Sequence, residues 1–193
     1  MSSRVRVMDN IPRVTQIIKE CGLYDFTDIP PEILQRAAKF GSAVHKATEL
    51  NDKGTIDMST VNAPLMPYFD AWQLFLKDTS ATPVGIELKV KSLIWGYEGT
   101  LDRVLRIDSK LYVCDIKATA KISPIVAIQT MAYKIAYEEE FKDKVSGRIC
   151  VQLLKTGKYV RQDYTDVNDK NIWLSLVTLY KFKQKHNLLK KEG

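Results

Sequence analysis

An α/β fold, with a central mixed β-sheet flanked by α-helices, follows from three observations. Helical periodicity fills the first third of the chain, β-branched and aromatic runs fill the stretch from about Val84 to Lys117, and helix and strand signals then alternate to the end. At 193 residues, 45% of them hydrophobic, the chain is long enough for one domain (1–193) with a sizeable core, and nothing demands a second.

Pro12 to Cys21 reads as a short amphipathic helix with Val14, Ile17 and Ile18 on one side, stopped by Gly22. Pro30-Pro31-Glu32 opens a longer helix to about Asn51, because proline is tolerated in a first turn and glutamate complements the helix dipole there. Its inner stripe of Leu34, Ala37, Ala38, Gly41, Val44, His45 and Thr48 is unusually small. That stripe predicts a helix backbone close to the sheet, with His45 arriving on the buried face. A third helix, from about Pro64 to Lys77, carries Leu65, Phe69, Trp72 and Phe75 at core-packing spacing.

Three antiparallel strands come next. Ile86, Leu88 and Val90 alternate with Glu87, Lys89 and Lys91, the period of a half-buried strand. Ile94 to Val104 and Leu111 to Lys117 are strands on either side of the polar Ile107-Asp108-Ser109-Lys110. Ser123-Pro124 opens a helix through about Glu140. Arg148 to Leu154 and Lys158 to Tyr164 form a hairpin around Thr156-Gly157, and Asp166 to about Asn187 closes the chain as a lysine-rich helix in which His186 is solvated.

The chemistry centres on Asp115-Ile116-Lys117 and on Asp102 in Gly99-Thr100-Leu101-Asp102. If Asp108 and Ser109 are the two central turn residues, Ile107 pairs with Lys110 and Asp102 falls opposite Asp115. Such partners have Cβ atoms roughly 4.5 to 5.5 Å apart, so two carboxylates there repel unless a cation lies between them. A divalent metal is the natural cation. Period two puts Lys117 on the face of Asp115, flanking the site without being a ligand. Asp-Ser is a weak type I′ pair, so the register is an expectation that a one-residue slip would break.

Other side chains extend this set. His45 is within imidazole reach of such a metal, and its nitrogen favours Mn²⁺ somewhat over an all-oxygen Mg²⁺ site. If the first hairpin turns near Ile94 and Trp95, Glu87 falls beside Asp102 as a third carboxylate; pairing with Lys89 or Lys91 at the surface is the alternative. Gln129 and Tyr133, four apart on the inward face of the next helix, are polar groups that need partners, or else ordinary helix polarity beside a core tyrosine.

Composition bounds the alternatives. A net charge of +6 suits a polyanionic partner without establishing one. Cys21, Cys114 and Cys150 are odd in number and scattered, with no CxxC and no signal-peptide hydrophobic region, which points to a reducing, cytoplasmic setting. No apolar run approaches the roughly 20 residues of a membrane span. Gly96 and Gly99 make no phosphate-cradling loop, and there is no GxSxG elbow and no HExxH.

Taken in order, Gly41-Ser42-Ala43-Val44-His45, Gly99 to Asp102, Asp115-Ile116-Lys117 and Gln129 to Tyr133 resemble the RecB-like branch of the PD-(D/E)xK nuclease superfamily, over about residues 40 to 140. Val14-Thr15 and Gly22 to Phe26, with the small size, are similar to stand-alone exonucleases of phages and prophages. The resemblance implies a restriction-endonuclease-like core and a Mg²⁺- or Mn²⁺-dependent deoxyribonuclease acting on DNA ends in recombination, repair or replication. An endonuclease of the same fold, or a silent DNA-binding recombination accessory, is the alternative. It further implies Asp102, Asp115 and the Ile116 carbonyl as holders of one or two ions and His45 as an added ligand. Lys117, its pKa depressed by the metal, would orient water or stabilise the phosphorane, while Gln129 and Tyr133 position Lys117 or the DNA. Lys89, Lys91, Arg103 and Lys121 would touch phosphates. The cluster cysteines of some RecB-like nucleases have no counterpart, so no iron-sulfur cluster is expected. A homo-oligomer or a phage recombination partner stays open.

Overall fold

In the computed structural model, residues 11–24 and 29–189 are described, so part of the Gly22 to Phe26 segment lies outside them. Helices α1 (Val14–Glu20), α2 (Pro31–Asp52) and α3 (Met66–Thr79) precede strands β1 (Thr82–Ser92), β2 (Tyr97–Ile107) and β3 (Lys110–Lys117). Then come α4 (Ile125–Phe141), β4 (Val145–Leu153), β5 (Tyr159–Tyr164) and α5 (Asn168–Lys185). The five strands lie in sequence order, antiparallel except for the parallel pair β3 and β4, which α4 connects. This is the expected mixed sheet.

Each face of the sheet has its own core. Leu105, Ile107, Cys114, Ile116, Ile149 and Val151 pack with Val44 of α2 and Trp72 and Phe75 of α3. On the other face, Val104, Val113 and Tyr97 pack with Val14 and Ile17 of α1, Ala132 and Tyr133 of α4, and Trp173 of α5. Alternation along β3 and along β2 from Val104 to Ile107 divides the two sets.

The β2–β3 hairpin has the expected register, Ile107 opposite Lys110 through Arg103 opposite Cys114. Asp108 and Ser109 both adopt positive φ, 47° and 62°, the geometry of a type I′ turn despite the unfavourable residues. The ladder stops one pair short of Asp102 and Asp115. There the Asp102 carboxylate replaces a backbone partner, accepting the Ile116 N–H at 2.7 Å.

Two expectations need correction. Ile94 is not in a strand: with Leu93 it forms the exposed turn of the β1–β2 hairpin, whose N–H groups bind the Glu139 carboxylate. The small stripe of α2 does not bring its backbone onto the sheet either. Ala37 and Ala38 are exposed, a Cβ on Gly41 would meet nothing, and only Val44, Ala47 and Thr48 are buried. The N-terminal half of α2 instead borders an open groove.

Candidate metal centre

Three donors converge where α2 crosses the β1–β2 hairpin. His45 Nδ1 lies 3.6 Å from Asp102 Oδ1 and 3.9 Å from Glu87 Oε1, and ligand atoms of all three residues lie within 4.8 Å of one another. Glu87 falls between the pairs Ile86–Arg103 and Leu88–Leu101, the place that faces Asp102. The structure places it beside Asp102 and pairs it with Arg103. Its backbone is left-handed, φ 46°, a conformation that L-residues resist. One imidazole and two carboxylates suit a small divalent ion, whose bonds of about 2.1 Å bring all three donors within reach after slight closure.

Asp115 stands beside this trio. It is 2% exposed, and Lys117 Nζ lies 2.9 Å from both of its carboxylate oxygens. The repulsion foreseen between Asp102 and Asp115 is thus relieved by groups of the chain itself: Lys117 faces Asp115, while His45 and the Ile116 N–H face Asp102. Burial pushes the Asp115 carboxyl up to about 6, against the lowering effect of Lys117. Burial would lower Lys117, but Asp115 and Asp102 outweigh it and raise its pKa above the ordinary lysine value. The protein's own charges favour the ammonium form of Lys117. Burial likewise opposes a charged His45, yet Asp102 and Glu87 raise its pKa.

Gln129 and Tyr133 are buried, and Gln129 Nε2 donates to Tyr133 Oη at 3.3 Å. Gly99 makes room for that ring, since a Cβ there would sit 2.6 Å from Tyr133 Cε1. The Gly99-to-Asp102 motif is therefore tied to the Gln129-to-Tyr133 motif by packing. Neither side chain hydrogen-bonds Lys117, whose partner is Asp115.

Arg103 overturns its sequence reading. It is 0% exposed and cannot contact phosphate; its guanidinium bonds Asp52, Glu87, Thr48 and the Asp102 carbonyl. The signal was legible, because Arg103 occupies the same strand face as Leu105 and Ile107, and Asp52 lies four residues after Thr48 on α2. Lys89 and Lys91 line a separate hollow with Arg13, Glu98 and Glu140, whereas Lys121 is exposed just past Lys117. The groove beside α2, about 950 Å³, opens onto His45, Glu87 and Lys117; Ile33, Ala37 and Phe40 give it apolar walls, and Arg36 and Lys46 add positive charge.

No protein-family description matches the sequence, and no curated protein matches it. Solved structures do match. One, named "Putative exonuclease", from Eubacterium rectale, superposes with a TM-score of 0.53 at 10% identity, covering 78% of this chain and 69% of that one. Another, SSO0001, gives a TM-score of 0.36 at 15% identity over 72% of each chain. At this identity the first likeness is one of fold: an α/β chain with a five-stranded mixed sheet flanked by helices. Among the described residues no helix is long and apolar enough to cross a membrane.

Proposed function

We propose that this chain is a divalent-metal-dependent deoxyribonuclease of the RecB-like branch of the PD-(D/E)xK superfamily, most similar in design to stand-alone phage-type exonucleases acting on DNA ends. The observation that carries the reading is the convergence of His45, Glu87 and Asp102 beside the Asp115–Lys117 pair, at the mouth of a groove. The fold shared with the Eubacterium rectale structure named "Putative exonuclease" supports it. The sequence motifs supply the branch. The whole chain forms one nuclease domain in this reading, working on cytoplasmic DNA in recombination, repair or replication.

His45, Glu87 and Asp102 would hold a Mg²⁺ or Mn²⁺ ion, with Asp115 and the Ile116 carbonyl beside them. Such an ion, when bound, polarises the scissile phosphate and lowers the pKa of water. The chain contributes the rest. Asp102 is oriented by the Ile116 N–H, so its free oxygen is aimed at His45. Lys117, held as an ammonium by Asp115, donates hydrogen bonds to the phosphate oxygens on which negative charge builds in the transition state. Tyr133 and Gln129 brace the floor behind Gly99.

The test compares end-labelled linear DNA with a closed circle, in Mg²⁺ and in Mn²⁺, for the wild type and Asp115→Ala. Label should leave the linear DNA alone, and the variant should lose at least about 10²-fold in rate, the scale of removing one electrostatic stabiliser. Cutting of the circle would make the protein an endonuclease. Equal activity in the variant would remove Asp115 from the site.

A further inference from the structure

We propose that Arg103 is a positioning residue that holds His45, Glu87 and Asp102 in register across two separate elements, and so sets the affinity of the site for a divalent cation. The inference rests on reading that trio as a metal centre. His45 belongs to α2, whereas Glu87 and Asp102 belong to the β1–β2 hairpin. The grip of α2 on the sheet is limited: Val44, Ala47, Thr48 and the Asp52 side chain are buried, all in its C-terminal half, and its N-terminal half borders the groove. The spacing between imidazole and carboxylates therefore depends on what ties the last turns of α2 to the hairpin.

Arg103 makes that tie with every nitrogen it has. Nε donates to Asp52 Oδ2 at 2.6 Å and Nη2 to Thr48 Oγ1 at 3.2 Å, both on α2. Nη1 donates to Glu87 Oε1 at 3.0 Å and to the Asp102 carbonyl at 2.6 Å, both on the hairpin. Thr48 Oγ1 passes the connection to the His45 carbonyl at 3.0 Å. The anchor is itself anchored. Asp52 accepts from Trp72 Nε1 at 2.8 Å, the guanidinium lies 5.8 Å from the Trp72 ring centroid, and the Arg103 and Asp52 side chains are both 0% exposed.

Glu87 needs such a partner. Its left-handed backbone is opposed by its own Cβ, and a strained residue persists only where its surroundings over-determine it. Arg103 holds one of its oxygens in place. A planar fork with fixed donor directions can satisfy four acceptors on two elements, which a lysine ammonium on a flexible stem cannot reproduce. Partners that orient metal ligands in this way typically change metal affinity by about 10- to 100-fold when altered.

The experiment is a calorimetric titration of Mn²⁺ into the full chain, without DNA, for the wild type, Arg103→Lys and Thr48→Val, with thermal melting in parallel. Arg103→Lys keeps the buried positive charge and loses the fork. It should stay folded and bind Mn²⁺ about 10- to 100-fold more weakly, and Thr48→Val should shift affinity a few-fold in the same direction. In cleavage assays raised Mn²⁺ should restore the Arg103→Lys rate toward wild type. Unchanged Mn²⁺ affinity in Arg103→Lys, with or without a lower melting temperature, overturns the proposal and makes the residue a structural ion pair only. If Arg103→Lys does not fold, unchanged affinity in Thr48→Val overturns it. Absence of Mn²⁺ binding to the wild type overturns the metal centre itself, a failure seen in a different sample.

Discussion

Two buried arginines invite comparison, one on each side of the sheet. Arg103 pairs with Asp52 near the Trp72 ring among α2 and α3; Arg148 of β4 pairs with Asp169 at 2.7 Å, with its guanidinium 5.9 Å from the Tyr164 ring centroid. Charge, aromatic neighbour and burial are alike. What differs is where the spare donors go. Arg148 spends them on the carbonyls of Ala127 and Asp166, stapling β4 to α4 and to the entry of α5. Arg103 spends them on Glu87 and on the backbone of Asp102, both at the candidate metal centre. A buried arginine–aspartate pair is therefore no sign of function in itself, since desolvation consumes much of its Coulombic gain. The acceptors left over after the pair is made decide its role.

Arg148→Met tests that contrast most severely. It strands Asp169, 6% exposed, without its cation, and should cost about 3–5 kcal/mol in chemical denaturation while leaving Mn²⁺ affinity at the wild-type value. Weakened Mn²⁺ binding would mean that the α4 and α5 side also shapes the centre, and the contrast would collapse. Gly99→Ala sharpens it from the boundary between the two sides. The new methyl would sit 2.6 Å from Tyr133 Cε1 and must displace the ring, at about 1–3 kcal/mol. Because His45 and Glu87 are untouched, metal affinity should hold while the cleavage rate falls, measured by calorimetry and by release of end label.

These residues also explain what could be read before the structure. The β2–β3 register was legible because hydrophobic alternation on both strands and a four-residue polar turn leave one pairing that keeps Val104 and Val113 on the same core. The proximity of Asp102, Asp115 and Lys117 was legible because charges on strands with apolar neighbours demand partners, and that of His45 because helical spacing puts it on one stripe of α2. The place of Glu87 was not, since it depends on a left-handed residue within β1 that no local propensity favours. The exposed stripe of α2 was misread for a related reason: small residues permit close packing but do not enforce it, and here they border a groove. Arg103 was misread by sign alone. A positive charge near a proposed phosphate site suggested DNA, while its place on the core face of β2, level with Leu105, pointed to a buried partner.

The smallest effect concerns a carboxylate that serves the hairpin from the α4 side. Glu139 accepts from Ser92 Oγ at 2.5 Å and from the N–H groups of Leu93 and Ile94 at 2.7 and 2.9 Å, fixing a turn whose two apolar tips are 76% and 73% exposed. Burial would raise its pKa, but the Ser92 hydroxyl and the two N–H donors outweigh that and lower it. A depressed carboxyl contributes stability that is present above its unfolded pKa of about 4.3 and is lost as pH falls through the folded value. The wild type should therefore lose stability relative to Glu139→Gln below about pH 4.5, and exceed it by about 1 kcal/mol at neutral pH after allowance for solvent screening. Denaturation of both proteins between pH 3 and 7 measures the difference directly, cancelling the other carboxylates that titrate in that range. A difference that does not change with pH would mean that Glu139 holds the turn by shape, not by charge. Mn²⁺ affinity at pH 7 should be the same in both proteins, because the distal turn, like Arg148, belongs to the scaffold and not to the centre that Arg103 organises.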